Sequence, residues 1–313
     1  MYSSLQVQIV TYNSEDVIAA CLEGLLQQTM LPNRVMIIDN ASTDQTKKVM
    51  ESYQTEFHEK NILFEIIYLP LNSGYAAAHN QGIKAAVVDQ FDYISTLNPD
   101  VQLAPDYFMY TISDFRLNAE IGGVTGKLLR PHLHPSPTVI DSAGLRMELF
   151  YHVRDRGQDE SDHGQYDVPG YVWGICGAAA VYRTKMLEAL TYQGQFFDES
   201  YFLYKEDVDL CWRGNGVGWK FYYEPRTFAW HQRGWKKGQH ISDQAQIHSF
   251  ANQIALLVKN VPRFTPMLVL SILVESIRWI GMVFRSPGTA IATLKKIHST
   301  WAKGWAWRKV VRH

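Results

Sequence analysis

The sequence predicts an α/β protein with a mostly parallel central sheet and helices on both faces of that sheet. Strand-like apolar runs alternate with helix-like segments over the first hundred residues, which is the pattern of this fold class. Hydrophobic residues make up 46% of the 313 residues, enough to bury a core. Three of the four predicted strands end in polar clusters. Because such sheets bind ligands at the carboxyl ends of their strands, these clusters predict one binding edge.

The elements follow one another in a regular order. The predicted strands are residues 7–12, 35–38, 64–69 and 93–97. The first helix is predicted to begin at a cap formed by Asn13 or Ser14, with Glu15 and Asp16 in its first turn. Later helices are predicted to open at residues 42–44 and to cover residues 76–88. Residues 125–170 are less regular, and the His132 and His134 pair among prolines there is interpreted as a loop rather than a zinc site.

The C-terminal part of the chain differs in composition. Residues 267–284 are strongly apolar but contain Glu275 and Arg278, so a packed or interfacial helix is favoured over a membrane span. Residues 276–313 contain eight basic and no acidic residues, although the whole chain has a net charge of -1. Apolar side chains recur there at helical spacing between these basic residues. They are Ile291, Leu294, Ile297, Trp301 and Trp305. This composition is typical of a helix on an anionic membrane surface, with a solvated helical face as the alternative.

The number and spacing of the cysteines indicate in which cellular compartment the protein is expected. Cys21, Cys176 and Cys211 show no CxxC spacing and lie among apolar residues, which favours a reducing cytosol over a disulfide framework. No charged N-terminal segment precedes an apolar run, so we expect no signal peptide.

Seven segments, taken in order, resemble the inverting family 2 glycosyltransferases, which have the GT-A fold, and especially the bacterial rhamnosyltransferase-type enzymes. The segments are VQIVTYNSEDVIAACLEGLLQQ, VMIIDNASTDQT, LNSGYAAAHNQGI, STLNPDV, GICGAAAVYR, FFDESYFLYKEDVDLCWR and FAWHQRG. The resemblance implies a catalytic domain over residues 1–240, with a nucleotide-binding half at 1–110 and an acceptor-binding half at 111–240. Residues 241–313 would form a C-terminal helical extension that contacts a membrane or a partner.

The resemblance also implies a reaction. A sugar, with rhamnose as the first candidate, would pass from a dTDP- or UDP-sugar to a hydroxyl of a glycan or lipid-linked acceptor in bacterial cell-surface polysaccharide synthesis. The protein would be cytoplasmic, peripherally associated with the inner face of the cell membrane, and would bind no nucleic acid. Transfer of glucose, galactose or an N-acetyl sugar is an alternative, as is a non-catalytic sugar-nucleotide-binding protein of this fold. The glycine-rich basic signature of nucleotidyltransferases is not found at the first strand, where the sequence reads VTYNSEDV.

Single transfer is expected rather than processive synthesis. The QxxRW motif of processive synthases is incomplete, because Glu275 stands where that motif has glutamine before Arg278 and Trp279.

The implied nucleotide contacts lie at the ends of the first two strands and in the loop before the helix at 76–88. They are Thr11, Tyr12, Asn13, Asp39, Asn72 and Gly74. Asp39 can accept a hydrogen bond from N3–H of uracil or thymine, or alternatively cap the next helix. Gly74 would let the backbone approach the ribose and diphosphate closely.

A divalent metal, Mn²⁺ or Mg²⁺, would neutralise the leaving diphosphate. Asn98-Pro99-Asp100 occupies the place of the family's DxD motif. Asp100 is then the principal carboxylate ligand, and Asn98 contacts ribose or diphosphate. His231 is the second metal candidate, with a satisfied core histidine as its alternative. Arg233 either pairs with phosphate or is a surface cation.

The catalytic candidates lie in a dense acidic patch at the start of a helix. Glu206 and Asp207 match the family's ED motif, in which the second acid is the base that deprotonates the acceptor hydroxyl. Glu206 would orient the loop or the acceptor. Asp209 is expected to pair with Arg213, four residues later on the helix. Trp173 and Gly174 would line the sugar and acceptor side, with a core tryptophan beside a tight turn as the alternative.

Overall fold

The computed structural model describes residues 3–131, 138–233, 242–261 and 265–308. The loop predicted at His132 and His134 lies outside these ranges. The strands are β1 Leu5–Thr11, β2 Arg34–Asp39, β3 Leu63–Tyr68, β4 Tyr93–Leu97, β5 Val101–Leu103, β6 Ile121–Leu129, β7 Ile140–Ser142, β8 Leu145–Met147, β9 Val153–Asp155, β10 Gly170–Val172, β11 Ala179–Arg183 and β12 Lys220–His231. The helices are α1 Ile18–Leu26, α2 Thr46–Ser52, α3 Gln54–Glu59, α4 Tyr75–Val88, α5 Tyr107–Asp114, α6 Thr184–Ala189, α7 Glu206–Gly216, α8 Asp243–Asn260, α9 Pro266–Arg285 and α10 Pro287–Arg308, with a 3₁₀ turn at Leu149–Tyr151.

The central sheet has the strand order β10-β12-β6-β11-β4-β1-β2-β3. Strands β3, β2, β1 and β4 are parallel neighbours, as are β6 and β12. Strand β11 is antiparallel to both β4 and β6. The predicted α/β class is confirmed, and the sheet is mixed beyond β4. Strands β1, β2 and β4 are buried along their whole length, which explains why they are nearly continuous apolar runs in the sequence.

The start of the first helix differs from the prediction. Helix α1 begins at Ile18, and no side chain caps it. Asn13 instead accepts a hydrogen bond from the Thr43 N–H at 2.8 Å, and Glu15 accepts one from the Gln45 N–H at 2.6 Å. Asn13, one of the two predicted caps, and Glu15, predicted in the first turn, therefore join the loop after β1 to the loop after β2, which holds these two strand ends together.

The predicted C-terminal helical extension is present as α8, α9 and α10. Among the described residues, α9 is the one helix long and apolar enough to cross a membrane. Its buried positions are Ser271 and Glu275, whereas its large apolar side chains face outward. The exposed ones are Val269, Leu270, Ile272, Leu273, Ile277, Ile280 and Phe284. This arrangement is the reverse of a helix on a soluble domain, whose apolar stripe faces the core.

Candidate active site

Asp207 lies in the first turn of α7. Its Oδ2 accepts a hydrogen bond from the Gly177 N–H at 2.9 Å, and its Oδ1 accepts one from the Val208 N–H at 2.7 Å. The two residues before the helix, Tyr204 and Lys205, have φ of 71° and 72°. Left-handed backbone at two consecutive non-glycine residues is strained and concentrates at functional sites.

Gly177 connects Asp207 to the end of β4. Its carbonyl accepts hydrogen bonds from Thr96 Oγ1 at 2.9 Å and from Tyr75 Oη at 3.2 Å. One residue further on, the Ala178 carbonyl accepts the Asn98 N–H at 2.9 Å. The acid in α7 and the segment that carries Asn98 are therefore fixed to the same short loop. The sequence separates these elements by about a hundred residues, and the fold brings them together.

The two acids at the start of α7 have unusual proton affinities. Burial raises the pKa of Asp207, and the nearby Asp155 raises it further, while the Gly177 N–H opposes the shift. Burial, with Asp207 next to it, holds the pKa of Glu206 well above its ordinary value. Glu206 Oε2 is buried and has no hydrogen-bond partner among the described residues. A carboxylate whose pKa is raised by burial is a stronger base than an ordinary aspartate, which suits it to accept a proton.

Asp100 and His231 lie side by side at the strand ends. His231 ends β12, and its Nε2 is 3.4 Å from Asp100 Oδ1. Its Nδ1 is 2.8 Å from Oδ2 of Asp141, a fully buried carboxylate. Burial alone would lower the pKa of His231, but the hydrogen bonds to Asp100 and Asp141 raise it to about 9. Nδ1 held by a carboxylate is the arrangement of metal-binding histidines, and a metal at Nε2 would replace the proton that this pKa places there.

The donor set in the protein is small. The described residues contain no group of three or more histidine, cysteine or acidic side chains arranged to hold a metal. One carboxylate and one imidazole fit a metal whose remaining ligands come from a diphosphate and water. Asn98 Oδ1 beside them is buried and has no hydrogen-bond partner among the described residues. A cavity of about 370 Å³ reaches Asp100 from the side of α1.

Arg233 is held by acidic side chains. Its Nε lies 2.7 Å from Asp141 Oδ1, and its Nη2 donates to Asp155 Oδ2 at 2.7 Å. The structure thus places it next to His231 but engages its guanidinium with two carboxylates. It is no simple surface cation, and phosphate binding by Arg233 stays a prediction.

The predicted base site lies at the ends of β1 and β2. Asp39 is buried, and its carboxylate accepts hydrogen bonds from Thr11 Oγ1 at 2.9 Å and from the Ser42 hydroxyl and N–H at 2.5 and 3.1 Å. Asp39 thus orders the turn that follows β2, but it does not cap α2, whose N-cap is Gln45 without a side-chain cap. Tyr12 and Asn13 are exposed at the same edge. These residues meet in space, and their contact with a base stays a prediction.

The position of Phe202 explains why residue 74 is a glycine. Its φ is 87°, and a Cβ there would lie 2.6 Å from the Phe202 carbonyl oxygen. The absent side chain therefore leaves room for Phe202, whose carbonyl also accepts the Tyr75 N–H at 2.8 Å. Asn72 accepts the Gly74 N–H at 3.0 Å, which shapes the loop.

Trp173 and Gly174 pack against α7. The Trp173 ring makes an edge contact with Trp212 at 5.9 Å between centroids, and a Cβ on Gly174 would lie 2.9 Å from Cys211. Trp173 is partly buried. The core interpretation describes most of this segment, and sugar contact stays a prediction.

Sequence reasoning missed several residues that support the site. Asn40 is buried, accepts the Ser73 N–H at 2.8 Å and donates to the Gly74 carbonyl at 3.2 Å, which fixes the loop before α4. Asp141 and Asp155 lie in the irregular middle region. Asn40 directly follows Asp39 at a predicted strand end, so its position was a usable signal, whereas the other two had none.

The C-terminal extension holds α7 from two sides. The predicted pair of Asp209 and Arg213 is confirmed at 2.9 Å. Lys259 of α8 lies 2.8 Å from Asp209 and 2.9 Å from Asp198, and its side chain is fully buried. Asn252, also in α8, donates to the Leu203 and Tyr204 carbonyls at 2.8 Å.

Comparisons with known proteins bear on the fold and on the family of the N-terminal part of the chain. Residues 6–125 match the family model described as Glycosyl transferase family 2. The poly-beta-1,6-N-acetyl-D-glucosamine synthase of Staphylococcus epidermidis is 23% identical over 222 residues, which cover 71% of this chain and 48% of that protein. The chain thus spans about half the length of the curated relatives it matches.

Two solved structures have a similar fold. S. aureus TarS 1-349 in complex with UDP-GlcNAc superposes with a TM-score of 0.59 at 14% identity, covering 99% of this chain and 90% of that one. Mannosyltransferase PcManGT from Pyrobaculum calidifontis, in complex with GDP-Man and Mn²⁺, gives a TM-score of 0.57 at 14% identity, with 99% and 86% covered. The chain has the GT-A fold, and its residues 6–125 carry a glycosyl transferase family 2 domain.

Proposed function

We propose that this chain transfers a sugar from a nucleoside diphosphate to an acceptor hydroxyl with inversion at the anomeric carbon. The observation that carries the proposal is the connection of Asp207, through Gly177 and Ala178, to the strand end that bears Asn98 and Asp100. An acid that can take up a proton therefore lies close to the predicted position of the diphosphate. Single transfer of one sugar is part of the proposal.

The reaction is one in-line displacement. The acceptor oxygen attacks the anomeric carbon while its proton passes to a carboxylate oxygen of Asp207. The bond from the anomeric carbon to the diphosphate oxygen breaks, and its electron pair leaves with the nucleoside diphosphate. The raised pKa of Asp207 increases its basicity at this step. Glu206, whose pKa is raised by burial and by Asp207 beside it, would orient the acceptor through a hydrogen bond.

Asp100 and His231 would hold Mn²⁺ or Mg²⁺, which when bound neutralises the charge that develops on the diphosphate. Asp141 orients His231 by its hydrogen bond to Nδ1. Thr11, Tyr12, Asn13 and Asp39 would bind a uracil or thymine base.

The donor sugar is open between two candidates. The resemblance of the sequence favours rhamnose. None of the relatives named above is a rhamnosyltransferase, and the staphylococcal relative is named for N-acetylglucosamine. UDP-N-acetylglucosamine is therefore the second donor candidate. We place the reaction in cell-surface polysaccharide synthesis on the cytoplasmic side of the cell membrane, because α9 and α10 present apolar side chains to the outside.

The test is turnover by the full chain with dTDP-rhamnose and UDP-N-acetylglucosamine in the presence of Mn²⁺ or Mg²⁺. Nucleoside diphosphate release would be followed together with binding of UDP and dTDP by calorimetry. Asp207→Asn should lower turnover by about 10²–10⁴-fold and retain nucleotide binding, since only the proton acceptor is lost. Asp100→Ala should lose metal-dependent nucleotide binding.

Glu188→Gln is the matched control, because Glu188 is exposed on α6 and is not one of the proposed site residues. It should behave as the unaltered chain. Turnover by Asp207→Asn at the unaltered rate would overturn the role of this residue. Binding of neither UDP nor dTDP, with or without metal, would overturn the whole proposal.

A further inference from the structure

Asn252 lies in α8, and its side chain holds the backbone that leads into the helix of the proposed base. The residue is buried, at 1% exposed. Its Nδ2 donates to the Leu203 carbonyl and to the Tyr204 carbonyl, both at 2.8 Å. A side-chain amide has two N–H donors on one nitrogen, so this geometry directs both of them to consecutive peptide groups. A side chain of the C-terminal extension therefore fixes the loop before α7.

The backbone that Asn252 holds has a costly conformation. Tyr204 and Lys205 have φ of 71° and 72°, in the left-handed region. A Cβ opposes this conformation, which persists only where surrounding contacts determine it. No side chain among the described residues caps α7 at Lys205. The two hydrogen bonds from Asn252 supply contacts of the kind that this left-handed turn needs.

The left-handed turn sets the position of the proposed base. Lys205 directly precedes α7, and its carbonyl accepts the Asp209 N–H at 2.9 Å. A change of φ at Lys205 would therefore rotate the first turn of α7, which carries Asp207, relative to the Gly177 N–H that bonds to this carboxylate. A displacement of about 1 Å at a reacting group can lower a rate by about 10²-fold.

The chain on either side of this turn is held without Asn252. Before the turn, the Phe202 carbonyl accepts the Tyr75 N–H at 2.8 Å. After the turn, Lys259 lies 2.8 Å from the Asp209 carboxylate. Removing the Asn252 amide therefore frees the two residues between these anchors and leaves both anchors in place.

We infer that Asn252 is a positioning residue for the proposed reaction. It maintains the left-handed turn at Tyr204 and Lys205, and this turn aims the carboxylate of Asp207 at the acceptor hydroxyl. Asn252 acts through Asp207 and not on a substrate, so the C-terminal extension is part of the catalytic unit. This inference rests on the proposed function, because it takes Asp207 to be the base.

The experiment compares Asn252→Leu with Gln253→Leu in the full chain. Gln253 is the matched control, because it is a buried amide of the same helix, at 2% exposed, and its Nε2 donates to the Tyr151 carbonyl at 3.1 Å. Nucleoside diphosphate release is measured with Mn²⁺ from UDP-N-acetylglucosamine or dTDP-rhamnose, whichever the unaltered chain uses. Asn252→Leu should lower kcat by about 10–100-fold and change KM for the donor by less than about two-fold. Gln253→Leu should change both constants by less than about two-fold.

Tyr204→Gly tests whether the backbone carries the effect, because glycine adopts a positive φ without a steric cost. The loss of kcat caused by Asn252→Leu should be at least about three-fold smaller when Tyr204→Gly is also present. An equal loss in both backgrounds would overturn the inference. An unchanged kcat in Asn252→Leu, or equal losses in Asn252→Leu and Gln253→Leu, would overturn it too. If Asn252→Leu does not fold, Asn252→Ser takes its place, since one hydroxyl cannot donate to both carbonyls.

Hydrogen exchange separates a failure of this inference from a failure of the proposed function. Amide exchange over residues 203–209, followed by mass spectrometry, requires no turnover. It should become at least about ten-fold faster in Asn252→Leu and stay unchanged in Gln253→Leu. Unchanged exchange in Asn252→Leu would contradict the role of Asn252. Faster exchange, in a chain that neither binds nucleotide nor turns over a donor, would count against the proposed function instead.

Discussion

Replacing Lys259 by methionine should destabilise the chain strongly. The Lys259 ammonium is fully buried between Asp198 and Asp209, at 2.9 and 2.8 Å, and lies 3.8 Å from the centre of the Trp307 ring. Methionine retains most of the volume but leaves the two buried carboxylates with Arg213 as the nearest cation. Removing one partner of a buried ion pair costs about 3–5 kcal/mol. Such a loss is a large share of the stability of an ordinary domain, which is about 5–15 kcal/mol.

The measurement is urea unfolding at pH 7, followed by far-UV circular dichroism. Lys220→Met is the matched control, since Lys220 pairs with Glu120 at 2.7 Å at an exposed position, and its unfolding curve should not shift. Adding Asp198→Asn to Lys259→Met should recover part of the loss, because it removes one uncompensated carboxylate. If Lys259→Met unfolded at the same urea concentration as Lys220→Met, the reasoning about this buried cluster would be refuted.

The pH dependence of that loss follows from Asp209. Burial would raise the pKa of Asp209, but Lys259 and Arg213 hold it below its ordinary value of 3.8. A lowered pKa stabilises the folded state above the ordinary value, and this contribution disappears as the pH falls through the folded pKa. The difference between Lys259→Met and the unaltered chain should therefore be largest at neutral pH and shrink under acidic conditions.

Three further predictions concern separate parts of the molecule. Burial, with Glu224 hydrogen-bonded to it, raises the pKa of Asp114 to about 8, so the native state binds more protons than the unfolded state between pH 3.8 and about 8. The free energy of unfolding should therefore fall as the pH rises through that interval. Asp114→Asn should flatten this fall when unfolding is measured at several pH values. Leu273→Glu should reduce co-sedimentation with vesicles containing anionic lipid more than Leu117→Glu does, although both side chains are exposed, at 55% and 61%; equal reductions would count against a membrane-facing α9. Gly74→Ala should lower the stability to urea by at least about 1 kcal/mol, because its φ of 87° and the contact with the Phe202 carbonyl both oppose a side chain, and an unchanged unfolding midpoint would contradict this account.

The nucleotide-binding half was largely predictable from the sequence, because β1, β2 and β4 are buried along their whole length and the partly exposed β3 is still a mostly apolar run. The predicted strand at 93–97 matches β4, and the other three predicted strands differ from β1, β2 and β3 by one or two residues at their ends. The pair of Asp209 and Arg213 also followed from helical spacing alone. Such features depend on neighbours in the sequence, and local patterns report them well.

The prediction of where α1 begins was wrong for a physical reason. Asn13 has good capping chemistry and Glu15 suits the first turn of a helix, but their side chains bond to the loop after β2 instead. Propensity at one position cannot reveal which of two backbones a side chain will meet.

Contacts between residues far apart in the chain could not be predicted from the sequence for the same reason. Asp141 contacts His231 across 90 residues, and Lys259 contacts Asp209 across 50. Neither contact belongs to a local sequence motif, so the sequence around these residues does not predict their partners. The extension was interpreted as a surface for a membrane or a partner, and its contacts with α7 were not foreseen. The domain boundary predicted at residue 240 stays a prediction.

The cluster around Lys259 also bears on the timing of synthesis. A ribosome produces Asp198 and Asp209, respectively 61 and 50 residues before it reaches the lysine that neutralises them. During that interval burial of these carboxylates is costly, because Arg213 pairs with Asp209 but Lys259 is not yet present. The proposed base on α7 reaches its final environment only once α8 has emerged, shortly before the apolar face of α9 does. The environment of the proposed base would therefore be completed at about the same time as the exposed apolar face of α9 is synthesised.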